Sequence, residues 1–121
     1  MKFSKLAIVF LTVVFSVAAQ TTDLTGKWKA IWLISGVANG KPNAITLAES
    51  DGVLTGNYTA DDGKACSVKG NHTDKVRLHV YCAEWDIVME GVLASDNQTI
   101  SGNYTAYGNA RGQFVMDKLK N

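Results

Sequence analysis

Val76, Leu78, Val80 and Cys82 alternate with Lys75, Arg77, His79 and Tyr81. Alternation of apolar and polar positions with period two marks a strand that buries one face and wets the other. The pattern recurs along the chain. Trp28, Ala30, Trp32 and Ile34 share one face, as do Ile45 and Leu47, Leu54 and Tyr58, Ile100 and Tyr104, and Phe114 and Met116. Turn-forming groups separate these runs: Ser35-Gly36 through Lys41-Pro42, Asp51-Gly52, Asp61-Asp62-Gly63, Asn71 to Asp74, Ala83-Glu84, Asp96-Asn97 and Gly108-Asn109. Short strands at regular spacing predict an all-β chain. Eight strands are expected, near 26–35, 43–50, 53–60, 64–70, 75–82, 85–94, 99–106 and 110–118. Asp51-Gly52 suits a two-residue hairpin turn, because both its positions need positive φ.

A pentapeptide occurs twice. Gly56-Asn57-Tyr58-Thr59-Ala60 returns as Gly102-Asn103-Tyr104-Thr105-Ala106, 46 residues later. The copies fall on the third and seventh expected strands. Closing the strands into an eight-stranded antiparallel up-and-down barrel removes both exposed sheet edges. Such a barrel is just wide enough to be filled by side chains or to hold one small ligand.

The register can be tested on the two cysteines. Pairing Cys66 with Cys82 in one hairpin sets Val68 opposite Val80 and Gly70 opposite Leu78, and leaves Thr73-Asp74-Lys75 as the loop. All these partners lie on the expected inner face, so a cross-strand disulfide is predicted. A disulfide implies an oxidising compartment. The first 19 residues agree: Lys2 and Lys5 precede an apolar run from Leu6 to Val17, and Val17-Ala18-Ala19 offers small residues for cleavage. That arrangement reads as a signal peptide, leaving residues 20–121 as one barrel domain, secreted or periplasmic, with no membrane attachment after cleavage. Without the leader, ten Lys and Arg face eleven Asp and Glu. This near-neutral balance, without basic clusters, argues against nucleic acid as a partner.

Catalytic patterns are missing from the sequence. His72 falls in an expected loop and His79 on an outer face; no Ser-His-Asp arrangement, phosphate loop or zinc spacing occurs. Glu84, Asp86 and Glu90 share a strand face, which suits a solvated surface as well as a cation site. No cofactor and no metal is expected, and the chain reads as a non-enzyme. Four Asn-x-Thr sequons begin at Asn57, Asn71, Asn97 and Asn103; the alternation turns Asn57 and Asn103 outward. The remaining chemistry is aromatic. Trp28, Trp32, Tyr58, Trp85 and Tyr104 either fill the core or line an apolar pocket with indole and phenol groups as polar handles.

Leu24-Thr25-Gly26-Lys27-Trp28 resembles the Gly-x-Trp opening of lipocalin- and avidin-like barrels. The similarity to avidin-like proteins continues through Ile45-Thr46-Leu47 and Asp51-Gly52-Val53-Leu54-Thr55-Gly56-Asn57-Tyr58; beyond it only the rhythm is shared. The resemblance implies an eight-stranded up-and-down barrel, and oligomers are common in that family. It does not imply biotin binding. Ala30 and Leu33 or Ile34 stand where avidins place polar ureido contacts, Ala60 replaces a serine, and no Trp follows Trp85. Leaving a buried ureido unpaired costs several kcal/mol. Asp23-Leu24-Thr25-Gly26-Lys27-Trp28 and Cys82-Ala83-Glu84-Trp85 also resemble secreted inhibitors of bacterial metalloproteases, which block with their N-terminal segment, here Gln20 to Asp23. The expected function is therefore a binding module for a small apolar or aromatic ligand at the barrel mouth, held by Trp28, Trp32, Tyr58, Trp85 and Tyr104. The alternatives are a protein-binding module such as a protease inhibitor, or a passive structural domain.

Overall fold

The computed structural model describes residues 23–106 and 109–120. The leader expected over residues 1–19 lies outside them. The described chain is all β: β1 (Gly26–Ile34), β2 (Val37–Ala38), β3 (Asn43–Ser50), β4 (Val53–Thr59), β5 (Ala65–His72), β6 (Val76–Tyr81), β7 (Asp86–Leu93), β8 (Thr99–Ala106) and β9 (Ala110–Lys118). Each of β3 to β8 pairs antiparallel with the next, β1 pairs with β3, and β9 returns to pair with β1. The eight long strands thus form a closed antiparallel barrel. β2 is a two-residue addition absent from the sequence expectation. Ser35 and Gly36 both adopt positive φ, 51° and 79°, and fold Val37 and Ala38 back onto Ile34 and Leu33. That segment is too short to carry a readable alternation. Asp51 has φ 52° and Gly52 φ 80°, as the two-residue hairpin requires.

The repeated pentapeptide does the same work twice. In each copy the glycine faces inward where a neighbouring strand crosses closely. A Cβ at Gly56 would run into the carbonyl oxygen of Thr46, and one at Gly102 into that of Glu90. These are points where the sheet bends to close. Two residues before each glycine, Leu54 and Ile100 are fully buried; two residues after, Tyr58 and Tyr104 face the interior near one end. β4 and β8 stand third and seventh around the ring, diametrically opposite.

One end of the barrel is sealed. Leu24 is fully buried, and its carbonyl accepts a hydrogen bond from the Trp28 indole N–H at 2.9 Å. The Leu24 amide donates to Glu49 Oε1 at 2.9 Å, and the Glu49 amide donates to Thr25 Oγ1 at 2.9 Å. The Lys118 ammonium lies 5.8 Å from the Trp28 ring centroid. Asp23 accepts a hydrogen bond from the Thr25 amide at 2.8 Å. Hydrogen bonding to Thr25 holds the Asp23 carboxyl below its ordinary value of 3.8. Above this seal lies an apolar core that includes Ile45, Leu47, Leu54, Met89, Phe114 and Met116.

Cys66 and Cys82 form the predicted disulfide, with Cα atoms 4.8 Å apart. Val68 pairs with Val80, Gly70 with Leu78 and His72 with Val76, leaving Thr73 to Lys75 as the loop. The bond links β5 to the segment that follows β6. Replacing both cysteines with alanine is expected to cost about 3 kcal/mol, mostly through the lost constraint on the unfolded chain. Chemical denaturation of the two forms under non-reducing conditions measures this; equal midpoints would mean that the barrel does not depend on the staple.

Candidate functional site

The end opposite the seal is open. β1 brings Trp32 there, β3 Asn43, β4 Tyr58 and β8 Tyr104, while Trp85 precedes β7 in phase with its buried Ile87. These side chains surround a cavity of about 430 Å³, and Asn39, Lys41, Asp61 and Asp62 complete its rim. The rings pack edge to face in a continuous series. Tyr104 and Trp32 have centroids 5.1 Å apart at 76°, Trp32 and Tyr58 6.2 Å apart at 65°, and Tyr58 and Trp85 6.1 Å apart at 90°. This geometry sets the positive edge of one ring against the negative face of the next.

Four of the five aromatic residues singled out from the sequence therefore meet at the mouth. Trp28 does not line this cavity; it is fully buried above the seal, and its N–H is taken by Leu24. The difference is one of height. Trp28 and Trp32 share a strand face, but four residues of strand carry the chain from one end of the barrel to the other.

Asn43 is the site residue that sequence reasoning missed. It follows Pro42 at the first position of the expected strand 43–50, and it is only 6% exposed. Its Oδ1 accepts the Trp32 indole N–H at 2.8 Å, and its Nδ2 donates to the Thr59 carbonyl at 3.0 Å and to Asp61 Oδ1 at 2.9 Å. The signal was available in the alternation, since residue 43 is in phase with Ile45 and Leu47. A polar residue at an inward position needs partners, and Asn43 has them.

Two further features fix the walls. Gly112 lies against the Tyr104 ring, where an added Cβ would sit 2.8 Å from Cε2. The disulfide borders a groove with Glu84 and Trp85 that adjoins the mouth through Ala60, Asp62 and Trp85. The Cys82 amide donates to the Trp85 carbonyl at 2.9 Å, so the staple and this turn together set the height of the Trp85 ring.

The other polar residues considered from the sequence lie elsewhere. His72 is a correction. It ends β5 rather than occupying a loop, because that strand runs two residues further than expected. Its side chain is 13% exposed, and its Nδ1 lies 3.1 Å from Glu49 at the sealed end. Asp86 pairs with His79 and Glu90 with Arg77, each at 2.8 Å on the outer surface, so the carboxylates of β7 are divided between partners. Such exposed pairs contribute about 0–1 kcal/mol each. Among the described residues, no group of three or more His, Cys, Asp or Glu side chains is placed to hold a metal ion. Asn57, Asn71, Asn97 and Asn103 are all exposed. Of the N-terminal segment, Asp23 lies at the sealed end, and residues 20–22 fall outside the described part.

No protein-family model matches this chain, and no curated protein matches it in sequence. The closed eight-stranded architecture is compatible with a calycin-like barrel.

The geometry yields two expected outcomes. Asn43→Leu keeps the volume but strips Trp32, Thr59 and Asp61 of their shared partner. It should cost about 2–4 kcal/mol and shift the tryptophan emission, as thermal unfolding and fluorescence would show. Gly112→Ala sets a Cβ against the Leu33 carbonyl oxygen and 2.8 Å from the Tyr104 ring, so β9 must shift against β1 as well as Tyr104 against its neighbours. It should lower the melting temperature and alter the near-ultraviolet circular dichroism of the aromatic series.

Proposed function

We propose that this protein is a non-enzymatic binding module, exported to an oxidising compartment, that takes a small apolar or aromatic molecule into the open end of its barrel. The observation that carries this reading is the division of the interior. One end is filled and sealed by Leu24 and Trp28, while the other holds a cavity of about 430 Å³ walled by four aromatic rings. Small-ligand sites are commonly concave, largely apolar, and of about 300–1,000 Å³. Trp32, Tyr58, Trp85 and Tyr104 supply the apolar wall. The Asn43 bridge holds Trp32 in place before a ligand arrives, which lowers the ordering cost of binding. The disulfide suits a secreted or periplasmic protein.

Tryptophan position makes this testable. Trp32 and Trp85 line the mouth, and Trp28 reports the sealed end. Titration of the wild type with a library of small aromatic molecules should change the emission. A Trp32→Phe/Trp85→Phe variant, which keeps only Trp28, should show no such response. Native mass spectrometry of protein purified from its own host should show a retained small molecule. A bare mass, together with silence across the library, would overturn the reading.

A further inference from the structure

The mouth combines two chemistries that meet in one ligand class. Its rings stand at 65°, 76° and 90° to one another with centroids 5.1–6.2 Å apart, so neighbouring rings are steeply inclined and together make an aromatic box around the cavity that they line. Its rim carries two carboxylates, Asp61 and Asp62, against one cation, Lys41. The Asp61 carboxylate is tied to the aromatic wall. Asn43 takes the Trp32 indole N–H on its carbonyl oxygen and gives an amide N–H to Asp61 Oδ1. One buried side chain thus fixes the spacing between an aromatic ring and a negative charge. The same bonds consume the Trp32 N–H and direct the Asn43 amide at Thr59 and Asp61. With that N–H engaged, the mouth offers a ligand its four rings and a rim with two carboxylates against one ammonium. Ring faces carry negative electrostatic potential and attract cations that shed their water easily.

We infer that the mouth selects an organic cation, an alkylated ammonium with an apolar or aromatic body, over neutral and anionic molecules of the same size. The ammonium sits within the aromatic box with Asp61 as its counter-charge. The remainder of the cavity accommodates the body, since about 430 Å³ exceeds the needs of the charged head alone. Methylation spreads the charge and removes N–H donors, which suits a box of ring faces. This inference rests on the reading of the mouth as a ligand site, and it adds the sign of the charge.

The test is calorimetric titration of the full-length mature protein with benzyltrimethylammonium, benzyl alcohol and phenylacetate, repeated on Asp61→Asn. Asparagine at this position retains a carbonyl oxygen for the Asn43 amide, so the wall should persist; the near-ultraviolet circular dichroism of the variant checks that. The expected result is binding of the ammonium at least about tenfold tighter than of the other two. In the variant, the ammonium should weaken by about tenfold while benzyl alcohol is unchanged. Equal affinity for all three probes, or preference for phenylacetate, would overturn the cation assignment and leave the mouth as a site for neutral or acidic molecules. An ammonium preference that survives Asp61→Asn would overturn the role of that carboxylate. Absence of binding with every probe, read as unchanged tryptophan emission as well as absent heat, would overturn this inference. The ligand-site reading beneath it falls only with the bare mass and the silent library.

Discussion

Pairing of β9 with β1 governs this molecule, because it converts an open sheet into a ring with an inside. In an open sheet, the inward residues of β1 and β9 would each face solvent along one flank. Closure places Trp32 of β1 beside Phe114 of β9 and gives every alternate residue of eight strands a common interior. The interior is narrow. Where two strands approach most closely, side chains give way to hydrogen, which is why Gly56 and Gly102 stand at the bends. The same narrowness lets four rings from β1, β4, β8 and the start of β7 touch in series.

Within that ring, filling is uneven along the axis. The sealed end concentrates large apolar side chains and meets the cost of its buried carboxylate with partners: Glu49 receives the Leu24 amide and lies beside His72. The open end concentrates rings with polar tips and one buried amide. Each end therefore contains a largely buried polar side chain with polar partners of its own. Glu49 fastens the chain that closes the barrel, whereas Asn43 fastens the wall of the part left open. The disulfide belongs to the second end, where it supports Trp85 as well as stabilising the fold.

Much of this was legible in the sequence, for identifiable reasons. Strand positions followed from period-two alternation, and the Cys66–Cys82 register was recoverable because a one-residue slip would have moved Val68, Val80 and Leu78 to the wrong face. Trp32, Tyr58, Trp85 and Tyr104 were recognisable as a group, since alternation alone assigns them inward. Height along the barrel was not recognisable, which is why Trp28 could not be separated from them. Asn43 and Glu49 were missed for a related reason. Polar residues at inward positions look like breaks in the pattern until their partners, distant in sequence, are known. His72 was misplaced because β5 ends in Asn71-His72, residues that read as a turn. β2 escaped because two residues carry no period.

The twofold repetition of Gly-Asn-Tyr-Thr-Ala gives the barrel an approximate dyad along its axis, and the mouth breaks it. Tyr58 and Tyr104 come from opposite strands, yet both lean on the single indole of Trp32, carried by β1. The strand across the ring from β1 is β6, and the chain leaving it brings the Cys66–Cys82 disulfide as well as Trp85 to that side, with no counterpart on β1. The repeated motif thus surrounds a cavity whose two sides differ in shape. Such a cavity keeps none of the repeat's symmetry: its two sides are distinct, and so are its closed floor and open rim.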